Sequence, residues 1–311
     1  MSVLNRGVTH DELPEGIERI RASRGDGSLA PAIGQREFDS VIDLTTYNRA
    51  DAMEAVETFR GRASRYVFIS SGQVYLVLEG VQRPFREEQY HGVVMPAPPR
   101  GSGDFESWKY GVDKRDAEDV FDTAWKDEKF PVTTLRLPMV ASERDHYGRL
   151  QGYFSRMFDG GPILVPEETG LPIRHVYVHD VARFIEILCH VDGGIGKAYN
   201  VSYGHSKVLS EYLAMLGEVV GRTASTLRFP RAVLERNLLL PDCSPFSGTW
   251  MSELDATLAS NELIPGGFEY TSPDEYLPLI FEDYRDRWIR EMKIPATCVQ
   301  RDREIEFAKR L

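Results

Sequence analysis

The chain has 311 residues, 42% hydrophobic and 27% charged, which suits one large or two small domains with ample material for a core. Its 37 basic and 48 acidic residues leave a formal charge of −11, which argues against a broad phosphate-backbone partner, because nucleic-acid affinity needs clustered Lys and Arg. Three cysteines (Cys189, Cys243, Cys298) are too few and too scattered for a disulfide scaffold or a zinc knuckle, and neither a bilayer-spanning apolar run nor a signal-peptide pattern is present. These features predict a soluble, cytoplasmic protein with a small-molecule partner and with no metal, nucleic acid or membrane.

In chain order, residues 2–4 read as a short strand ending at Asn5-Arg6-Gly7, and 17–22 as a weaker one interrupted by charges. Residues 38–44 (FDSVIDL) are a buried strand that leaves through Thr45-Thr46, and a helix follows over 50–59 with Met53, Val56 and Phe59 on one stripe. Residues 66–69 (YVFI) form the next strand, stopping at Ser70-Ser71-Gly72. The stretch 78–103 is rich in Pro, Arg and Gly without a period and reads as a long loop, a feature usually tied to function. A long helix over 108–125 then precedes a strand over 132–137, closed by Pro138. β-branched strands alternating with helices predict an α/β fold, a doubly wound parallel sheet covered on both faces.

The second half is more mixed. Short strands are expected at 175–178 and 198–201 with a helix over 181–190 between them, and Asp180 as its N-cap. Further helices are expected at 209–220, 252–261 and 273–292. The expected division is a Rossmann-like domain over 1–140, to which 174–203 return, and a smaller, mainly helical substrate domain over 141–173 and 204–311.

Two features place chemistry at one end of the sheet. Ser71 lies just past a strand, and in an open parallel sheet ligands bind beyond the C-terminal strand ends. Tyr110 and Lys114 are four residues apart on the long helix and therefore share a face. An ammonium beside a phenol favours the phenolate, which suits Tyr110 for general acid/base work, while the Ser71 hydroxyl can hydrogen-bond a substrate oxygen. Together they suit hydride transfer at a secondary alcohol. Tyr-x-x-x-Lys alone is a weak signal, and its alternative is an exposed helix pair.

The ordered set of segments resembles a family. Ser70-Ser71-Gly72-Gln73-Val74-Tyr75 and Tyr110-Gly111-Val112-Asp113-Lys114-Arg115 resemble signatures of the extended short-chain dehydrogenases/reductases, the NAD-dependent epimerase/dehydratase family. Leu135-Arg136-Leu137-Pro138 is similar to the strand end beside the nicotinamide, the segment 175–182 (HVYVHDVA) to a later strand-to-helix junction, and Ala198-Tyr199-Asn200-Val201 to the last sheet strand. The resemblance implies that Ser71, Tyr110 and Lys114 are a catalytic triad, with Lys114 also on the nicotinamide ribose. It places Arg6, Thr45, Thr46 and Pro138 near the cofactor, and Trp108, Tyr153, Arg156 and Arg174 near the substrate. The cofactor implied is NADP or NAD, and Arg6 after the first strand leans towards the 2′-phosphate of NADP. The activity implied is that of an epimerase, dehydratase or reductase on a sugar-like or nucleotide-sugar alcohol, in a chain that also admits a homodimer.

One departure is plain. The family opens with a strand, a Gly-x-x-Gly-x-x-Gly turn and a helix, and this sequence contains no such turn, whose amides would bind the pyrophosphate. Two expectations follow: the start was assigned late, or dinucleotide binding has been given up and the sheet repaired in another way. Two further readings therefore stand beside the redox one, a cofactor-independent isomerase or lyase and a non-catalytic binding protein. Some superfamily members that this chain resembles, the chloroplast stem-loop binding proteins, bind RNA, and Arg83, Arg86 and Arg100 could supply a local patch. His175 and His179 are read as structural, because the intervening residues form a strand.

Overall fold

The β-branched run at 38–44 and the apolar run at 66–69 become neighbouring parallel strands, joined by a crossover helix. A computed structural model describes residues 1–8, 13–167, 172–264 and 266–310; residues 168–171, inside the expected substrate domain, lie outside that set. The elements begin with β1 (Ser2–Asn5), β2 (Glu18–Arg21), α1 (Leu29–Ile33), β3 (Phe38–Asp43), α2 (Arg49–Phe59), β4 (Ala63–Ser71) and α3 (Gln73–Leu76). After the loop come α4 (Gly103–Glu128), β5 (Val132–Leu137), β6 (Val140–Ala141), α5 (Arg149–Asp159) and β7 (Ile163–Pro166). The chain continues with β8 (Val176–Tyr177), α6 (Val178–His190), β9 (Lys197–Asn200), α7 (Leu209–Val220), β10 (Thr226–Phe229) and α8 (Arg231–Arg236). It ends with α9 (Thr257–Leu263), α10 (Pro273–Asp283) and α11 (Arg301–Ala308).

These elements fall into two compact units. The first comprises Met1–Gly80, Glu87–Arg136 and Ile185–Tyr199. It holds a four-stranded sheet in the order β3-β4-β5-β9 and a separate pair, β1-β2, which run parallel with Ser2 opposite Glu18. In β3 and β4, also parallel, Val41 faces Tyr66 and Asp43 faces Phe68. All six residues of β5 are buried, as expected of a strand covered on both faces. The core includes Ile20, Leu29, Ala52, Phe59, Tyr66, Phe68 and Phe121, so side chains from both sheets share one apolar interior. The parallel sheet is thus in two pieces, and β3 is an edge strand with Ile42 partly exposed.

The second unit comprises Val81–Arg86, Leu137–Phe184 and the chain from Asn200 on. Its two small parallel sheets are β6-β8 and β10-β7, packed with α5, α7 and α10 around Tyr153, Phe154, Leu213, Leu216, Tyr276 and Leu277. Helix α5 has Leu150, Tyr153, Phe154 and Met157 at the spacing of one helical face, although no element was expected there.

Three expectations are corrected. The 252–261 helix begins only at Thr257, because Leu254 bridges Phe85 and the amides of Phe85 and Asp255 bond across that bridge. Backbone groups committed to a ladder are not available for a helix. The 273–292 helix is α-helical only to Asp283 and continues as a π-helical turn over Tyr284–Ile289. Helix α6 starts at Val178, so Asp180 lies in its first turn, where it accepts the Thr271 amide and hydroxyl, both at 2.8 Å, instead of capping.

Backbone comes close to backbone in the first unit between α3 and α4. A Cβ on Gly111 would lie 2.6 Å from Val77 Cγ1 and 2.8 Å from the Gln73 carbonyl oxygen. Alanine favours a helix over glycine by about 1 kcal/mol, but overpacking of this kind costs about 1–3 kcal/mol. Gly111→Ala is therefore expected to lower the urea midpoint, and a raised midpoint would contradict the close approach.

Candidate active site

Helix α4 carries most of the site. It starts where the Ser102 side chain accepts the Phe105 amide at 3.1 Å, with Asp104 and Glu106 in the first turn, where carboxylates suit the helix dipole. It ends at Lys129 in the left-handed conformation (φ 59°). Tyr110, Lys114 and Glu118 recur every fourth residue and so lie along one face. That face is anchored by a buried ion pair in which Arg136 of β5 donates to Glu118 through Nε (3.0 Å) and Nη2 (2.6 Å). Arg136 Nη1 also donates to the Tyr75 hydroxyl at 2.6 Å, and the Ser70 hydroxyl donates to Glu118. One carboxylate thereby sets the register of α4 against the ends of both β4 and β5.

One turn before Glu118, Lys114 is 3% exposed. Its Nζ donates to the carbonyls of Thr46 (2.6 Å) and Ile69 (3.0 Å), which follow and precede the strand ends of β3 and β4. The ammonium lies 5.1 Å from the Tyr47 ring centre, 5.0 Å from Phe68 and 6.0 Å from Tyr110. Burial pushes its pKa down to about 8, against the opposing charges of Asp43, Glu118 and Asp51. Tyr110 is 38% exposed, so the same helical face passes from solvent to interior within one turn. Ser71, two residues past Ile69 and half-buried, accepts the Gln73 amide at 3.2 Å, which leaves its O–H as a donor.

Sequence reasoning missed the group beneath this site. Asp43 is buried, and Arg24 donates to it at 2.6 Å. Burial opposes its charge, yet the Arg24 guanidinium and the bonds from Thr46 and Tyr66 hold the carboxyl below its usual range. A carboxylate directly after the apolar pair Val41-Ile42 was the available signal.

The other expected residues are placed as follows. Thr46 is buried, with its hydroxyl on Asp43 and its carbonyl on Lys114, whereas Thr45 and Arg6 are exposed and Pro138 is buried. Trp108 is half-buried, with Nε1 donating to the Met95 carbonyl at 3.1 Å. In the second unit, Arg174 bonds Ser206, Glu253 and the Leu254 carbonyl at 2.8–3.0 Å. Arg156 and Tyr153 require correction. Arg156 is 0% exposed, with bonds to Glu304 (2.6 and 2.9 Å), the Gly152, Thr297 and Asp242 carbonyls and Cys298 Sγ, so its guanidinium ties α5 to the C-terminal segment. Tyr153 is equally buried, its hydroxyl bonded to Ser244 and the Phe246 amide. His175 is a buried core histidine, pushed down to about 3 by burial and hence neutral, with Nδ1 3.1 Å from the Tyr212 hydroxyl.

A nicotinamide riboside calls for hydroxyl and ammonium partners, and Ser71, Tyr110 and the third N–H of Lys114 offer that donor set. The sequence holds no glycine turn for a pyrophosphate. Among the described residues no His, Cys, Asp and Glu cluster could hold a metal ion, and no helix is long and apolar enough to cross a membrane.

The family model described as NAD dependent epimerase/dehydratase matches residues 35–202, more than half of the chain. No curated protein matches. Among solved structures, the UDP-glucose 4-epimerase of Thermotoga maritima with UDP-glucose superposes with a TM-score of 0.70 at 17% identity, over 92% of this chain and 90% of that one. An epimerase of Methanothermobacter thermautotrophicus gives 0.69 at 18%, over 94% and 86%. The UDP-glucuronic acid 4-epimerase of Bacillus cereus with NAD gives 0.66 at 15%, over 90% and 82%. At these identities the likeness shows a shared Rossmann-like fold.

Removing one partner of a buried ion pair leaves the other charge uncompensated, at a cost of about 3–5 kcal/mol. Glu118→Gln should lose about that much stability in urea denaturation, while the double change Glu118→Leu, Arg136→Met should recover most of it. A single variant within about 1 kcal/mol of the parent would show that the pair does not anchor α4.

Proposed function

Because the chain belongs to the NAD dependent epimerase/dehydratase family, we propose that it uses a nicotinamide dinucleotide to epimerise, dehydrate or reduce at a secondary alcohol of a nucleotide sugar. The observation that carries this reading is the Lys114 ammonium, held by two strand-end carbonyls beside Tyr110. The UDP-sugar enzymes that share the fold support the substrate class, and the NAD bound to the Bacillus cereus enzyme supports the cofactor class.

In this reading Tyr110 takes the proton of the substrate hydroxyl and later returns it. Ser71 donates to the same oxygen and orients it. Lys114 supplies positive charge beside the phenol and offers its third N–H to a ribose hydroxyl. The exposed Thr45 hydroxyl borders the same strand end, and the exposed Arg6 favours a 2′-phosphate over a 2′-hydroxyl. When bound, the nicotinamide supplies the one capacity these side chains lack, accepting a hydride and giving it back.

Calorimetric titration with NAD+ and NADP+ tests the cofactor, and turnover of UDP-glucose or UDP-glucuronic acid tests the substrate. Micromolar dinucleotide binding is expected; turnover without it would move the assignment to unaided acid/base chemistry. Tyr110→Phe should lower turnover about 10²–10⁴-fold with an unchanged unfolding midpoint. Equal activity in that variant would remove Tyr110 from the reaction. Since Lys114 is charged below about pH 8 and neutral above it, activity should fall as pH rises through about 8. A profile flat from pH 7 to well above 9 would show that this charge is not used.

A further inference from the structure

The donors that surround Asp43 do more than bury a charge. Its Oδ1 accepts the amides of Thr45 (2.9 Å) and Thr46 (3.1 Å), and its Oδ2 accepts the Thr46 hydroxyl (2.6 Å), Arg24 Nη2 (2.6 Å) and the Tyr66 hydroxyl. The two amide bonds fold the chain back over the carboxylate as it leaves β3, in the manner of an Asx-turn. The third bond locks the Thr46 side chain on the same carboxylate. With its amide and side chain fixed in this way, Thr46 accepts from Lys114 Nζ through its carbonyl at 2.6 Å.

The groups facing the ammonium come from every element around it. Asp43 lies on β3, Glu118 on α4 and Asp51 on α2, while Arg24 opposes them from the segment after β2. Glu118 is already committed to Arg136, and Asp51 accepts the Tyr47 amide at 2.9 Å. The rings of Tyr47, Phe68 and Tyr110 complete the surround. Asp43 is the carboxylate joined to Lys114 through a single residue, Thr46.

We propose that Asp43 is a positioning residue, which holds the Lys114 ammonium beside Tyr110 through the turn it closes at Thr45 and Thr46. The inference rests on the reading of Tyr110 and Lys114 as the working pair, but its test does not. Asp43 favours the ammonium and Arg24 disfavours it, so removing each charge moves the Lys114 proton in opposite directions. A role confined to holding the fold together would weaken both variants, whereas a charge that bears on the ammonium also moves its midpoint.

The experiment is side-chain NMR titration of the lysine ammonium groups in the full chain, with Lys114 assigned by its loss in Lys114→Met. Asp43→Asn should lower the Lys114 midpoint by about one pH unit, and Arg24→Gln should raise it. An unmoved midpoint in Asp43→Asn, or movement in the same direction in both variants, overturns the proposal. If Asp43→Asn does not fold, Asp43→Glu, which keeps the charge but displaces the turn, decides: a lowered Lys114 midpoint supports the inference, and an unmoved one overturns it. Opposed shifts in a chain that neither binds dinucleotide nor turns over UDP-sugars would support the positioning and remove only the function read above. Dinucleotide binding with unmoved midpoints would do the reverse.

Discussion

The Glu118–Arg136 pair is the contact on which the geometry of the first unit depends. A 26-residue helix has many ways to lie on a sheet, since apolar contacts between Phe121, Tyr66 and Phe68 are tolerant of sliding. A bidentate pair is not tolerant, because both N–H···O bonds are lost with a shift of about one ångström. Glu118 also accepts from Ser70 at the end of β4, and Arg136 also donates to Tyr75 just past it. Buried charge is costly, and its replacement by apolar side chains is often neutral for stability. Its value here is register: it decides which residues of α4 meet the strand ends, and Lys114 and Tyr110 follow one and two turns away.

A second polar contact joins what the backbone does not. Among the described residues the β1-β2 pair shares no ladder with β3, so no strand pairing there relates the two sheets. Arg24, three residues after β2, instead reaches Asp43 and Thr45 at the end of β3 and the Asp51 carbonyl in α2. Below it the shared core of Ile20, Leu29, Ala55 and Phe59 supplies non-directional attraction. The apolar layer holds the pieces together, and the guanidinium fixes their alignment. The same residue thus serves the architecture and borders the candidate site, because both meet at the strand ends.

The strands expected at 38–44, 66–69 and 132–137 were legible because each holds a local run of β-branched or apolar residues. The Tyr110–Lys114 spacing was legible because a helix places residues four apart on one face. What could not be read were pairings between distant positions. Arg24 and Asp43 are 19 residues apart, Arg136 and Glu118 are 18, and Arg156 meets Glu304 across 148, none at a helical or strand period. Arg156 was accordingly mistaken for a substrate contact, since an arginine among apolar neighbours looks alike whether it grips a phosphate or a carboxylate of its own chain. Helix α5 is a different case: its apolar face was present in the residues and needed only to be weighed.

Burial separates the two uses of charge in this chain. Arg65, Arg136 and Arg156 are nearly inaccessible, and each has acceptors within the chain: Thr133, Val191 and Gly193 for Arg65, Glu118 and Tyr75 for Arg136, Glu304 and three carbonyls for Arg156. Arg136 and Arg156 are each paired with a buried carboxylate, and Arg65 is held by three neutral oxygens. Lys114 is as buried, but an ammonium has three N–H groups and two neutral carbonyls take only two. A buried cation left short of a partner and short of a paired carboxylate is held in a state that a ligand can improve. The lack of a paired carboxylate, more than charge or burial alone, sets Lys114 apart from Arg136 and Arg156 and supports the proposed working end where α4 meets β3 and β4.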